Sequence, residues 1–230
     1  MTAAVRSELP GRERYLAAWS ATHGGVDTTR PGFVRGWLSV VYVAARPVAR
    51  LGVPPSAVTV LGILVSLAVV PLADRGGRWP LLVAVVVLLS GLLDGVDGAV
   101  ALLTGRSTAW GSVLDALADR CSDLAYVVGL LALNGWGPAP LQWLAAFCGV
   151  LTLLHEYLRA RAIAAGMDDV GVVTVGERPT RVVVTLMCCL AAGLYPQDVN
   201  LWGQVALAAW AGSGLVGLVQ LGAVVRRRLH

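Results

Sequence analysis

The sequence predicts an all-α integral membrane protein, with six transmembrane helices preceded by an interfacial amphipathic helix. Three observations carry this. The 230 residues are 57% hydrophobic and only 14% charged, with a mean hydropathy of +0.71. Apolar runs of near-bilayer length recur, separated by short Gly- and Pro-containing turns. The charges cluster at the ends of those runs, and all 18 basic residues are Arg. That Arg bias is the mark of a GC-rich genome and carries no function.

Residues 1–33 are polar and read as a cytoplasmic tail, with a short helix over Glu13–Ala21. They lack the apolar stretch of a secretory signal. Residues 34–52 form the juxtamembrane helix. At 100° per residue, Arg35, Arg46 and Arg50 share one face, and Trp37, Val41, Ala44 and Val48 the opposite one. That pattern suits a helix in the headgroup plane, and equally one packed on the protein. Residues 53–230 hold the six spans. Pro54-Pro55-Ser56 breaks the chain, and Ser56 is placed to cap a helix running from Ala57 to Leu72. This span is short for a hydrocarbon core of ~30 Å. The next four are Leu81–Thr104, Trp110–Leu133, Leu141–Ala164 and Thr180–Leu194, and the last is Leu201–Val225. Gly166–Pro179 is the longest internal polar loop.

Six spans put both termini on one side. The tail arginines, Arg106, Arg159, Arg161, Arg178, Arg181 and Arg226-Arg227-Arg228 then share that side, against only Arg75 and Arg78 opposite. The positive-inside rule makes it cytoplasmic, in the cell membrane.

The chemistry lies between Leu93 and Asp123. Asp94, Asp97, Asp115, Asp119 and Asp123 sit in otherwise apolar helices. Carboxylates there are costly and mark function. Asp94 and Asp97 share one helix face, as do Asp115 and Asp119. A turn at Gly105–Ser107 matches the pairs in depth, Asp97 with Asp115 and Asp94 with Asp119. Four converging carboxylates need a cation or protons to coexist. Oxygen-only ligands favour Mg²⁺, with Mn²⁺ or Ca²⁺ as substitutes. Gly98 and Gly111 leave room for a ligand or for helix packing. Asp123 has no matched carboxylate and reads as a structural partner, for Arg120 among others.

The run Asp94-x-x-Asp97-Gly98-x-x-Ala101, then Gly111-x-x-x-Asp115-x-x-x-Asp119, resembles the signature of the CDP-alcohol phosphotransferase family, from about Val53 to the C-terminus. The resemblance implies an enzyme that transfers a phosphatidyl group from CDP-diacylglycerol to a small alcohol and releases CMP. It implies one or two divalent ions, Mg²⁺ or Mn²⁺, on Asp94, Asp97, Asp115 and Asp119, with Asp119 as general base. It implies a CDP-lipid site of Ser56, Thr59, Asp94, Gly98, Ala101 and Gly111. One position departs: the family has Arg after the Ala, where this chain has Leu102. Arg106 takes over that role if the helix extends to it. The alternative is a lipid- or nucleotide-binding paralogue with impaired turnover.

The Gly176-Glu177-Arg178-Pro179-Thr180-Arg181 run resembles the actinobacterial phosphatidylinositol phosphate synthase branch. That implies an acceptor-phosphate pocket of Arg159, Arg178 and Arg181. Glu156 is foreign to that branch and is expected to pair with Arg159 or His155. Inositol phosphate leads as acceptor and glycerol phosphate follows. The expected partners are the lipid donor, the polyol phosphate, bilayer lipids and a second copy of the chain, with no nucleic acid. A stripe of Ala209, Ser213 and Gly217 suits packing between copies or within one chain. Four Cys without metal-type spacing read as buried apolar residues.

Overall fold

The computed structural model describes residues 9–22, 26–167 and 174–229. Arg6 and the middle of the 166–179 loop lie outside them. All regular structure among the described residues is helical. The helices are α1 (Arg12–Thr22), α2 (Phe33–Arg50), α3 (Pro55–Leu67), α4 (Val69–Ala73), α5 (Pro80–Thr104), α6 (Ala109–Leu133), α7 (Ala139–Ala164), α8 (Arg178–Leu194) and α9 (Val199–Leu229). Only Ala68 separates α3 from α4, so the first span, predicted as Ala57–Leu72, runs Pro55–Ala73.

Four stretches are long and apolar enough to cross a membrane: Pro55–Ala73, Pro80–Thr104, Ala139–Ala164 and Pro196–Leu229. Each is only about one-third buried within the protein along its most apolar part, which leaves apolar side chains facing outward. That is consistent with a multi-pass membrane protein. The other two predicted spans differ from these. α6 carries Asp115, Asp119, Arg120 and Asp123, and α8 has only 17 residues.

The chain divides into two compact units, residues 1–63 with 91–118, and residues 64–90 with 119–230. In the first, Tyr15, Leu16, Leu38, Val41, Tyr42, Val96 and Val100 form the core. The tail is therefore partly folded. Tyr15 stacks on Tyr42 with ring centroids 5.6 Å apart, and the Tyr42 hydroxyl donates to the Pro10 carbonyl at 3.1 Å. Arg35 ties the same region down through the Thr28 carbonyl (2.6 Å) and Glu13 (2.7 Å).

The sequence left two placements open for the apolar face of α2, and the structure shows the one on protein. Val41 is fully buried, and Trp37, Ala44 and Val48 pack against the same core. The apolar face thus packs on protein. A different strip points outward, with Phe33, Val40, Val43, Pro47 and Leu51 all exposed. Gly95 makes the α2–α5 packing possible, because a Cβ there would lie 2.9 Å from a Val41 methyl.

Ser56 does not cap α3. The helix starts one residue earlier, at Pro55, because proline has no N–H to satisfy and its fixed φ suits the first helical position. The α5–α6 turn closes as the sequence predicts. Gly105 has φ 64°, a left-handed value that ends a helix at glycine. The Arg106 N–H bonds back to the Ala101 carbonyl at 3.0 Å. Thr108 caps α6, accepting from the Gly111 N–H at 3.0 Å.

The second unit is built around Tyr126, Leu130, Leu207 and Trp210, with Val83 and Val87. α9 packs along α7 and α8. The Trp210 indole donates to Thr152 at 3.1 Å, which satisfies the polar atom of the largest buried side chain. Gly217 meets backbone: a Cβ there would lie 2.6 Å from Gly176. Gly176 likewise abuts Ser213 and Gly214. The small residues of α9 therefore serve packing within the chain, and Ala209 is exposed. Cys148, Cys188 and Cys189 are buried free thiols, as expected.

Candidate active site

In the first unit, α5 and α6 carry the carboxylates on either side of the Gly105 turn. Asp94 and Asp115 bring oxygens within 4.8 Å of each other. Two carboxylates that close repel unless a cation or proton lies between them. Their hard-oxygen character fits a divalent ion such as Mg²⁺ or Mn²⁺. Gly98 adds to the fit. A Cβ there would meet nothing within 4 Å, so helix packing does not explain this glycine. Gly111, by contrast, lies tight against Thr108 Oγ1 at the start of α6.

Asp97 has hydrogen-bond partners of its own. It is buried, and its Oδ2 accepts from the Thr59 hydroxyl at 2.5 Å. Its Oδ1 accepts from the Gly98 N–H at 2.6 Å. Thr59 and Asp97 were named from sequence for different ligands, and the fold makes them partners 38 residues apart. Ser56 is exposed in the first turn of α3, and Ala101 is half-buried.

Leu102 packs against the core of this unit, an apolar site with no call for a charge. The idea that α5 extends to Arg106 is not met, because the helix ends at Thr104. Arg106 sits in the turn, where its guanidinium approaches the Gly52 carbonyl at 3.5 Å.

Asp119 follows Asp115 by one turn of α6 and belongs to the second unit. There Arg120, Arg159, Arg178 and Arg181 each meet an acid. Arg178 is ion-paired with Asp119 Oδ1. Asp119 Oδ2 lies 3.5 Å from Arg120. Arg120 in turn contacts Glu156 at 3.1 Å and Asp123 at 3.5 Å. Arg181 is almost wholly buried, and it pairs with the fully buried Asp123 at 2.9 Å and donates to the Gly176 carbonyl at 2.6 Å. Arg159 is ion-paired with Glu177, whose Oε1 also accepts from the Thr174 N–H (3.3 Å) and hydroxyl (3.2 Å).

Asp123 is thus the structural partner the sequence indicated, shared by Arg120 and Arg181. Glu156 is corrected: it pairs with Arg120 and with neither Arg159 nor His155, whose Nε2 meets the Thr174 hydroxyl at 3.0 Å. Sequence reasoning missed Glu177 as the partner of Arg159, although its place in the Glu-Arg-Pro run was a visible signal. The Arg120–Glu156 pair, 36 residues apart, left no trace in the sequence.

Together these features define a class: a helical membrane protein with paired carboxylates flanking a tight interhelical turn in one unit and a cluster of ion pairs in the other. Residues 53–210 match the family model described as CDP-alcohol phosphatidyltransferase, and the chain belongs to that family. A phosphatidylinositol phosphate synthase of Mycobacterium marinum is 38% identical over 146 residues, 62% of this chain. The match spans 60% of that relative's length. One from Cutibacterium acnes is 31% identical over 210 residues, covering 85% of this chain and 96% of the relative. The crystal structure of the Mycobacterium tuberculosis phosphatidylinositol phosphate synthase in complex with manganese and citrate matches with a TM-score of 0.69 at 30% identity. It covers 81% of this chain and 88% of that one. A second structure of that enzyme, with CDP-DAG bound, gives 0.68, covering 80% and 92%.

Proposed function

We propose that this chain transfers the phosphatidyl group of CDP-diacylglycerol to a hydroxyl of a phosphorylated polyol and releases CMP. Inositol phosphate is the leading acceptor and glycerol phosphate the second. The observation that carries this is the Asp94–Asp115 approach across the Gly105 turn, inside a chain whose residues 53–210 match the family.

In this reading Asp94, Asp97, Asp115 and Asp119 hold one or two Mg²⁺ or Mn²⁺ ions. Bound there, the metal neutralises the diphosphate and polarises the bond to the leaving CMP. Thr59 fixes the Asp97 carboxylate. Gly98 leaves the α5 surface bare, and the nucleotide diphosphate lies against it, bordered by Ser56, Ala101 and Gly111. Asp119 accepts the proton of the acceptor hydroxyl. The acceptor oxygen bonds to the β-phosphorus as the bond from that phosphorus to the CMP oxygen breaks. Arg159 and Arg178 hold the acceptor's phosphate, since guanidinium forks suit phosphate. Arg181, expected from the sequence to join them, is almost wholly buried on Asp123 and the Gly176 carbonyl, and it fixes the start of α8 in their place.

The chain crosses the membrane six times in this reading, with α6 and α8 as the two polar or short spans. Both termini and the site face the cytoplasm of the cell membrane, and the chain pairs with a second copy. α2 lies at the interface, with Phe33, Val40, Val43 and Leu51 toward lipid.

The test is CMP release from CDP-diacylglycerol by purified protein, with inositol phosphate or glycerol phosphate, with and without Mg²⁺. Metal-dependent release abolished by Asp115→Asn supports transfer. Tight CDP-lipid binding without CMP release for any acceptor would favour the second reading, a binding paralogue. That reading draws on Leu102, which is packed apolar surface at a position where the family motif carries Arg.

A further inference from the structure

α2 carries Arg35, Arg46 and Arg50 and no acidic residue. Arg35 is ion-paired with Glu13. Among the described residues, no carboxylate pairs with Arg46 or Arg50. Arg46 is half-buried, with its guanidinium carbon 5.6 Å from the centroid of the Tyr42 ring. Its buried Nε makes no hydrogen bond. The Tyr42 ring is itself fixed, by Tyr15 on one face and by the Pro10 carbonyl at its hydroxyl, so stacking on it orders the Arg46 side chain before any ligand arrives. Arg50, one turn on, is exposed. Position adds to this. At ~100° per residue, Arg50 lies about 20° and Arg46 about 60° around the helix from Val43, on the same side of it. Both therefore border the outward strip of Phe33, Val40, Val43, Pro47 and Leu51.

We propose that Arg46 and Arg50 form a headgroup site on α2 that is selective for anionic phospholipids. Two guanidinium groups without carboxylates, at the edge of an apolar strip, complement a bilayer surface of negative charge. The strip takes the acyl chains and the guanidinium forks take the phosphate. A zwitterionic headgroup sets its own ammonium against its phosphate and so gains less from the pair. The inference rests on the interfacial placement of α2 given above, and it is independent of the metal and acceptor assignments. The site has a use within its unit. Val41 of α2 packs against Gly95 of α5, the residue after Asp94. Holding α2 at one depth among the headgroups therefore holds the carboxylate-bearing part of α5 at one depth as well.

The test uses the full chain in phosphatidylcholine nanodiscs, with an environment-sensitive fluorophore on Val43→Cys. Phosphatidylglycerol or phosphatidylcholine with brominated chains is titrated in as quencher. The mole fraction that gives half-maximal quenching reports how firmly each lipid is held at the strip. Folding of each variant is checked by thermal unfolding. An arginine beside an anionic surface is worth roughly fivefold, so the chain with both arginines should need about 30-fold less of the anionic quencher. Arg46→Gln and Arg50→Gln should each cut that preference by about fivefold. Arg50→Lys should keep most of it, and the double Gln variant should be quenched equally by both lipids. Arg14→Gln, at an exposed position of α1, should keep the preference in full. Equal half-points with both arginines present, or a preference that survives in the double Gln variant, overturns the headgroup site while leaving α2 at the interface. Quenching by neither lipid, with self-quenching between fluorophores, puts a second copy on the strip and overturns the site and the interfacial placement together. CMP release by the same preparations judges the transferase reading separately.

Discussion

Asp123 and Arg181 offer the sharpest quantitative prediction. Asp123 is 0% and Arg181 3% exposed, and their charged atoms are 2.9 Å apart. Replacing Asp123 by Leu leaves a guanidinium buried beside an apolar group. Replacing Arg181 by Met strands the carboxylate, though Arg120 at 3.5 Å offsets part of that. Breaking a buried pair in this way costs about 3–5 kcal/mol, roughly two to four orders of magnitude in the folded-to-unfolded ratio. The Asp123→Leu/Arg181→Met double variant removes both charges together. Its loss should shrink to about 1 kcal/mol, the net worth of the Arg181 bond to the Gly176 carbonyl. The assay is reversible unfolding in mixed micelles containing SDS, followed by Trp fluorescence. Losses that simply add in the double variant would refute the pairing as the source of stability.

Four further predictions follow from other parts of the molecule. Asp115→Asn, or EDTA on the wild type, should lower the CMP-release rate by about 10²–10³-fold or more, the usual cost of losing one electrostatic stabiliser; re-added Mg²⁺ should rescue the wild type only. Thr59→Val removes the donor to buried Asp97 and should cost about 1.5–3 kcal/mol of stability in the same unfolding assay, while Thr59→Ser should cost much less. Gly95→Ala drives a methyl to within 2.9 Å of Val41 and should cost about 1–3 kcal/mol, with Val41→Ala relieving it. An environment-sensitive fluorophore on Val43→Cys should shift to the blue in nanodiscs, whereas one on Arg14→Cys, at an exposed polar position of α1, should not; equal spectra would place α2 away from lipid.

Much of the fold was legible because membrane helices announce themselves locally. Long apolar runs, the Gly105 turn and the Pro at the start of α3 act within a few residues of chain. The ends of α5, α6 and α7 accordingly fall within two residues of the predicted bounds. The sequence left the neighbour of the α2 apolar face open, because periodicity defines two faces without saying which neighbour each one meets. Val41 went inward to fill the gap left by Gly95, an event set 54 residues away.

The site divides the same way. The sequence alone determined the ligand chemistry: carboxylates at helical spacing, a bare glycine between them, and arginines at two later helix ends. Residue type and spacing are enough for that, because a carboxylate in an apolar helix is too costly to stand without a role. Only the tertiary structure decided the pairings. It set Asp97 on Thr59, Glu156 on Arg120, Glu177 on Arg159 and Arg178 on Asp119. Each pairing depends on which side chains share a buried or half-buried space, where an unmatched charge is costly. Separation along the chain does not encode that, and the packing of helices does.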